Sequence, residues 1–84
     1  MTFYVYMLKT LKGFSKKTYV GYTNDIEKRL IKHNIGKGAK ATRGYQWEVI
    51  YKKNFKLKSK ALSFEYRLKN DRIKRKLILE NERN

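Results

Sequence analysis

The chain has no cysteine, no proline and only seven acidic residues among its 84. Without cysteine it can form no disulfide, thiolate zinc site or thiol nucleophile, which agrees with an intracellular protein, cytoplasmic if bacterial and nuclear if eukaryotic. Its apolar runs are too short to span a bilayer. The start, Met1 to Lys9, has neither the basic leader nor the small-residue cleavage site of a signal peptide. No repeat, low-complexity stretch or change of composition divides the chain, so residues 1–84 read as one domain. A chain of this length buries about 60 to 65% of its unfolded surface, which excludes a two-domain enzyme.

The shortage of acid has the largest consequence. Asp25, Glu27, Glu48, Glu65, Asp71, Glu80 and Glu82 face 22 Lys and Arg, for a net charge of +15. Between Glu27 and Glu65 a single acid, Glu48, stands against eleven basic residues. Such a surface attracts a polyanion. The basic residues are interleaved with aromatics and loops rather than gathered on one amphipathic helix, which favours nucleic acid over an anionic membrane.

What is present suffices for a core: 40% of residues are hydrophobic, with seven Tyr, four Phe and one Trp. Phe3 to Lys9 and Thr18 to Tyr22 are β-branched and aromatic, and the Gly13 loop between them suits an antiparallel hairpin. Asn24 with Glu27 three residues on reads as a capped helix start, and that helix runs to about Asn34, before Gly36 and Gly38. Lys37 to Tyr45 is a basic loop. Trp47 to Phe55 sets Trp47, Val49 and Tyr51 against Glu48, Ile50 and Lys52, an imperfect third strand. Ser59 is placed to cap a second helix reaching about Asn70. Ile73, Leu77 and Ile78 give Asp71 to about Glu82 the spacing of a third helix that packs back on the sheet. The expectation is an α+β fold of order ββαβαα, a three-stranded antiparallel sheet flanked by helices.

Polar residues on faces that ought to be apolar are the candidates for chemistry. Ala61, Leu62, Phe64 and Leu68 define the apolar face of the second helix, with Glu65 in its middle. That carboxylate is either one half of a salt bridge with Arg29, Arg67 or Lys69, or a ligand for a hard divalent cation. His33, the only histidine, shares a face with Ile26 and Leu30, and Arg29 lies one turn before it. The pair could address one phosphate, Arg29 through its fork of donors and His33 by a hydrogen bond or a proton; the alternative is a satisfied, half-buried histidine beside a surface arginine. Tyr4, Tyr6, Tyr19 and Tyr22 on the hairpin are either cross-strand packing or, in so positive a field, a source of a phenolate base.

Tyr4-Val5-Tyr6, then Tyr19-Val20-Gly21 beginning thirteen residues after Tyr6, then Arg29, His33 and Glu65, resemble the GIY-YIG nuclease family over roughly Phe3 to Asn70. The stretches TYVGYTNDIEKRLIKHNIGKGAKATRG and ALSFEY resemble especially the catalytic domain of Slx1-type structure-selective endonucleases and the small stand-alone bacterial members. The resemblance implies a metal-dependent endonuclease acting on double-stranded or branched DNA, with a role in repair or recombination. It implies that Glu65 binds the metal, that Arg29 holds the scissile phosphate, that Tyr6 and Tyr19 lie near the attacking water, and that His33 assists. Tyr4 stands where the motif's name has glycine, a position that supplies backbone. Tyr22 follows Gly21 where another branch has lysine, so that lysine's role is not carried over. The Slx1-type enzymes also have a zinc-binding domain and a scaffold partner, which this cysteine-free chain does not match.

One carboxylate in the matched set argues against a two-metal nuclease. Magnesium is the expected cation, with manganese as a substitute. Lys37, Lys40 and Arg43, spaced by Gly36, Gly38 and Gly44, form the loop expected to grip the DNA backbone, and Lys52, Lys53, Lys56, Lys58 and Lys60 a second basic strip. No base-reading signature accompanies them, so recognition of backbone or junction shape is expected. The competing readings are a non-catalytic nucleic-acid-binding module and a structural component of a ribonucleoprotein. Both explain the charge but not the joint placement of the five polar residues.

Overall fold

A computed structural model describes residues 1–82, excepting the side chain of Glu82. The elements follow the expected order: β1 (Phe3–Thr10), β2 (Thr18–Thr23), α1 (Ile26–Asn34), a short 3-10 turn (Lys40–Thr42), β3 (Trp47–Phe55), α2 (Lys58–Lys69) and α3 (Arg72–Glu82). The strands form one antiparallel sheet in the order β2-β1-β3. The central strand carries Val5 to Leu8 as a continuous buried run, because both faces of the sheet are covered. Val5 and Met7 point to one side, where Val20, Ala61, Phe64, Leu68 and Ile78 complete an apolar cluster with α2 and α3. Tyr6 and Leu8 point to the other, packing with Trp47 and with Ile26 and Leu30 of α1.

The imperfect alternation of β3 has a local cause. Met7 pairs with Tyr51 but Leu8 with Val49, so Ile50 is the extra residue of a β-bulge. Ile50 and Tyr51 therefore both pack on the α2 side, while Trp47 and Val49 face α1.

The helix starts differ from the sequence expectation. Asp25, not Asn24, caps α1, its Oδ1 accepting the Lys28 N–H at 3.1 Å. Thr23 fixes this choice: its hydroxyl accepts the Asp25 N–H at 3.1 Å and holds that residue at the cap. The helix closes at Gly36, with the Lys37 N–H on the Lys32 carbonyl at 2.8 Å and the Gly36 N–H on the His33 carbonyl. Ser59 lies inside α2, whose N-cap is Leu57 without a side-chain bond. The link from β3 is so short that the first helical bond, Ala61 N–H to the Leu57 carbonyl, forms before Ser59 can serve as a cap.

Two apolar faces are narrower than expected. On α2, Ala61, Phe64 and Leu68 are buried but Leu62 is 41% exposed, so Glu65 stands at the margin of the stripe rather than in its middle. On α3 only Ile78 enters the core; Ile73 and Leu77 are exposed. Asp71 caps that helix through the Lys74 N–H at 2.9 Å. No helix among the described residues is long and apolar enough to cross a membrane.

Candidate active site

On the α1 side of the sheet, beside the apolar Leu8 and Trp47, lie the buried polar side chains Tyr6, His33 and Thr42. Tyr6 lies on the central strand, directly opposite Gly21 of β2 and Lys52 of β3. Residues opposed in this way point to the same face. A Cβ at Gly21 would collide with the hydroxyl and Cζ of Tyr6. The glycine of the Tyr19-Val20-Gly21 run is therefore the space into which the Tyr6 ring folds.

His33, on the last turn of α1, is fully buried, and both ring nitrogens are engaged. Nε2 lies 2.8 Å from the Tyr6 hydroxyl and Nδ1 lies 2.8 Å from Thr42 Oγ1. The direction of these bonds follows from the third link. Thr42 donates its only hydroxyl proton to the Ala39 carbonyl at 2.8 Å, so toward His33 it can only accept. Nδ1 therefore carries the proton, Nε2 presents its lone pair, and the Tyr6 O–H donates to it. The chain runs Tyr6 to His33 to Thr42 to the Ala39 carbonyl with every buried polar atom satisfied.

The electrostatics agree with a neutral pair. Burial pushes the Tyr6 phenol up to about 12, with Tyr19 and Glu65 adding to the rise and a hydrogen bond and the charge from Arg29 opposing it. Burial, and then the Arg29 charge, lower His33 to about 4. Tyr19 is half-buried, its ring 6.5 Å from that of Tyr6 and edge-on to His33 at 5.1 Å. Arg29, one turn before His33, has a buried Nε with no hydrogen-bond partner. Glu65, on α2, pairs through Oε2 with Lys69 Nζ at 3.2 Å, the partner that the sequence had left open among three. Its side chain is 17% exposed and that of Lys69 is 49% exposed.

Tyr6, Tyr19, Arg29 and His33 thus lie together on β1, β2 and α1, whereas Glu65 stands on α2, bonded to Lys69, and bears on Tyr6 only through its charge. Of the two readings of His33, a phosphate-addressing partner of Arg29 or a satisfied histidine, the structure has the satisfied one, more deeply buried than expected, with Nε2 on Tyr6 and Nδ1 on Thr42. Lys37, Lys40 and Arg43 are all exposed on the loop above. The second basic strip is divided: alternation sends Lys52 to the Tyr6 face and Lys53 to the other, where its Nζ sits 4.9 Å over the Phe64 ring, Lys56 follows β3, and Lys58 and Lys60 lie on α2.

Sequence reasoning missed Thr42 and the role of Gly38. Thr42 is fully buried between exposed Lys40 and Arg43, and its carbonyl accepts the Trp47 indole N–H at 3.0 Å. A Cβ at Gly38 would stand 2.5 Å from His33 Nδ1. The available signal was a lone hydroxyl residue in an otherwise basic, glycine-rich loop nine positions after the only histidine.

A family model described as the GIY-YIG catalytic domain matches residues 2–77. The chain belongs to this nuclease family. A UPF0213 protein of Bacillus pumilus is 45% identical to it over 82 residues, covering 95% of this chain and 81% of the relative. A UPF0213 protein of Staphylococcus saprophyticus is 42% identical over 80 residues, covering 94% of each. Among solved structures, the solution NMR structure of a UPF0213 protein from Bacillus halodurans matches with a TM-score of 0.50 and 37% identity, over 96% of this chain and 84% of that one. The GIY-YIG motif positions are Tyr4-Val5-Tyr6 on β1 and Tyr19-Val20-Gly21 on β2.

Proposed function

We propose that this GIY-YIG domain is a metal-dependent endonuclease that hydrolyses DNA phosphodiester bonds, with branched or flap structures in repair or recombination as its substrates. The observation that carries the reading is the directed hydrogen-bond chain from Tyr6 through His33 to Thr42. A phenol whose proton already points at an imidazole lone pair is built to receive a proton from the other side.

The roles follow from lone pairs and charges. The Tyr6 oxygen gives its proton to His33 Nε2 and keeps its lone pairs, so it can accept from water in the field of the Arg29 charge. As water attacks phosphorus, its proton passes to Tyr6 and the Tyr6 proton passes to Nε2, so no free phenolate has to form. The arriving phosphate sets its negative charge beside Arg29, which relieves the repulsion that, after burial, opposes protonation of His33. The buried, unpartnered Nε of Arg29 is a donor awaiting an acceptor, and a phosphoryl oxygen supplies one. Tyr19 walls the site and Lys52, opposite Tyr6, adds a cation on the same face. Lys37, Lys40 and Arg43 contact the DNA backbone.

Glu65 fits a hard cation. It is a half-buried carboxylate held by a flexible, half-exposed lysine that can swing away. Among the described residues no three His, Cys, Asp or Glu side chains cluster, so Glu65 would be joined by water and substrate oxygens, as suits magnesium, with manganese as a substitute. Bound there, the cation would supply charge stabilisation for the departing oxygen.

Duplex, flap, fork and four-way DNA should be incubated with the protein in magnesium, manganese or chelator. Cleavage with either metal and none with chelator is expected. Glu65→Gln should keep its circular dichroism spectrum and DNA affinity while losing cleavage. Full activity in that variant, or activity in chelator, would remove the metal role.

A further inference from the structure

The β1–β2 connection, residues 11–17, holds Lys12, Lys16 and Lys17, two apolar residues, Leu11 and Phe14, and no acid. It is a built loop. The Phe14 N–H bonds the Leu11 carbonyl at 3.2 Å around Gly13, whose φ of 100° is the turn conformation glycine adopts without strain. Thr10 Oγ1 donates to the Ser15 carbonyl at 2.8 Å and accepts the Lys17 N–H at 3.1 Å, and the Leu11 N–H bonds the Gln46 carbonyl at 2.9 Å.

Despite this order, Phe14 is 41% exposed and Leu11 38%. A scattered exposed apolar residue needs no explanation, but Phe14 is not isolated. Its ring lies 6.4 Å from that of Tyr45, and the Tyr45 ring 5.9 Å from that of Trp47. Lys17 Nζ stands 4.6 Å over Tyr45. Trp47 in turn holds the Thr42 carbonyl, in the turn that fixes His33. Contiguous aromatic packing thus joins the hairpin to the active site. Between the hairpin and α3 lies a cleft of about 470 Å³, bordered by Leu11, Phe14, Leu79, Lys9 and the three hairpin lysines, with Glu48 its one acid among the described residues. That volume is within the range of about 300–1,000 Å³ that accommodates small organic groups.

We propose that this hairpin and cleft hold an unpaired stretch of the DNA strand leading from the active site, with Phe14 stacking on a base and Lys12, Lys16 and Lys17 meeting phosphates. The proposal rests on the DNA-nuclease reading and gives its substrate a form: duplex joined to single strand. An aromatic face among cations complements both parts of an unpaired nucleotide. A blunt duplex offers the lysines phosphates but offers Phe14 no base face. The cleft reaches back to Lys9, three residues along β1 from Tyr6, or about 10 Å at 3.4 Å per residue, so the unpaired stretch starts a few nucleotides from the scissile bond.

The test is fluorescence anisotropy in chelator, with labelled oligothymidylate and a labelled blunt duplex as probes. Phe14→Ala should weaken oligothymidylate binding roughly tenfold or more, the scale of one lost stacking platform, and leave duplex binding nearly unchanged. Phe14→Trp should restore it. Changing Lys12, Lys16 and Lys17 to Ala should flatten the log-log salt slope for oligothymidylate by about 2. Unaltered oligothymidylate affinity in Phe14→Ala, equal losses on both probes, or thymidine monophosphate competing as well as the oligonucleotide would each overturn the proposal. Because no cleavage is measured, a wild-type protein that cuts nothing yet shows the Phe14-dependent preference would sink the nuclease reading and leave this one standing.

Discussion

β1 is buried on both sides, and only one of them contains a buried polar chain. Toward α2 and α3 it presents Val5 and Met7 to Ala61, Phe64, Leu68 and Ile78, an apolar cluster held by area alone. Toward α1 it presents Leu8 to Trp47 and, beside it, Tyr6 to His33, whose other nitrogen is held by Thr42. Buried polar groups add little net stability even when fully bonded, and they cost dearly when one partner is lost. A buried polar chain is therefore a poorer way to hold a sheet together than an apolar cluster, and its presence points to chemistry. Substitutions on the two sides should separate accordingly, those on the apolar side changing stability and those on the polar side changing turnover.

The sharpest break in that comparison is Tyr6→Phe. It keeps the ring that fills the space over Gly21 and removes only the oxygen that relays the proton. Single-turnover cleavage should fall by about 10²–10⁴-fold, the range of a lost general base, while stability falls by about 1 kcal/mol from the unpaired Nε2. A variant that cleaves within about threefold of wild type would move the proton transfer to Tyr19. The mirror experiment is Leu68→Ala. Leu68 is 2% exposed at the centre of the apolar cluster, so its truncation should cost about 2–5 kcal/mol in chemical denaturation. Turnover per folded molecule should stay at the wild-type level. A loss of turnover at full folding would mean that the two sides are mechanically coupled.

The same contrast explains what the sequence could disclose. The apolar side was legible because strands and helices reveal themselves by the period of their hydrophobic residues, and the element order ββαβαα follows from that period. Its errors lie where period cannot decide. Leu62, Ile73 and Leu77 have core-like spacing, but a small domain offers too little interior to take every apolar residue on a helix. The bulge at Ile50 is a one-residue event in backbone pairing that no side-chain pattern announces. On the polar side, Tyr6, Tyr19, Arg29, His33 and Glu65 were singled out by residue type and by family resemblance. Thr42 was not, because its role depends on a 3-10 turn that folds a basic loop back onto a histidine nine positions earlier. Asp25 took the cap from Asn24 for a similarly local reason, the Thr23 hydroxyl at its backbone.

Acid should expose the polar side selectively. His33 is lowered from 6.5 to about 4 in the folded protein, so between these values the unfolded chain holds the proton and the folded chain does not. Stability from this group is therefore complete above pH 6.5, declines as pH falls toward 4, and stops declining below it. The slope approaches about 1.4 kcal/mol per pH unit for one group. Denaturation curves across pH 4 to 7 should show this slope in the wild type and lose it in His33→Gln. The acid limb of kcat/KM should likewise lie near 4 rather than near 6.5. A slope that persists in His33→Gln would assign it to the carboxylates instead.

The finest division within the polar side concerns Thr42, whose hydroxyl bonds His33 and the Ala39 carbonyl and so reaches Tyr6 through His33. Valine has the same shape but cannot accept the Nδ1 proton. In Thr42→Val the reason for that tautomer is gone, and the imidazole gains by moving its proton to Nε2, where it would confront the Tyr6 O–H. The relay is then blocked in a fraction of molecules rather than removed, so cleavage should fall only about tenfold, the equivalent of one ordinary hydrogen bond. Thr42→Ser keeps the hydroxyl and should keep the rate. The ring nitrogen shifts of His33 in a ¹⁵N spectrum report directly which nitrogen is protonated. In the wild type and in Thr42→Ser they should show Nδ1–H, and in Thr42→Val a mixture or Nε2–H. A rate loss in Thr42→Val with the Nδ1–H signature intact would assign Thr42 to packing of the loop, leaving the tautomer to be set by Tyr6 alone.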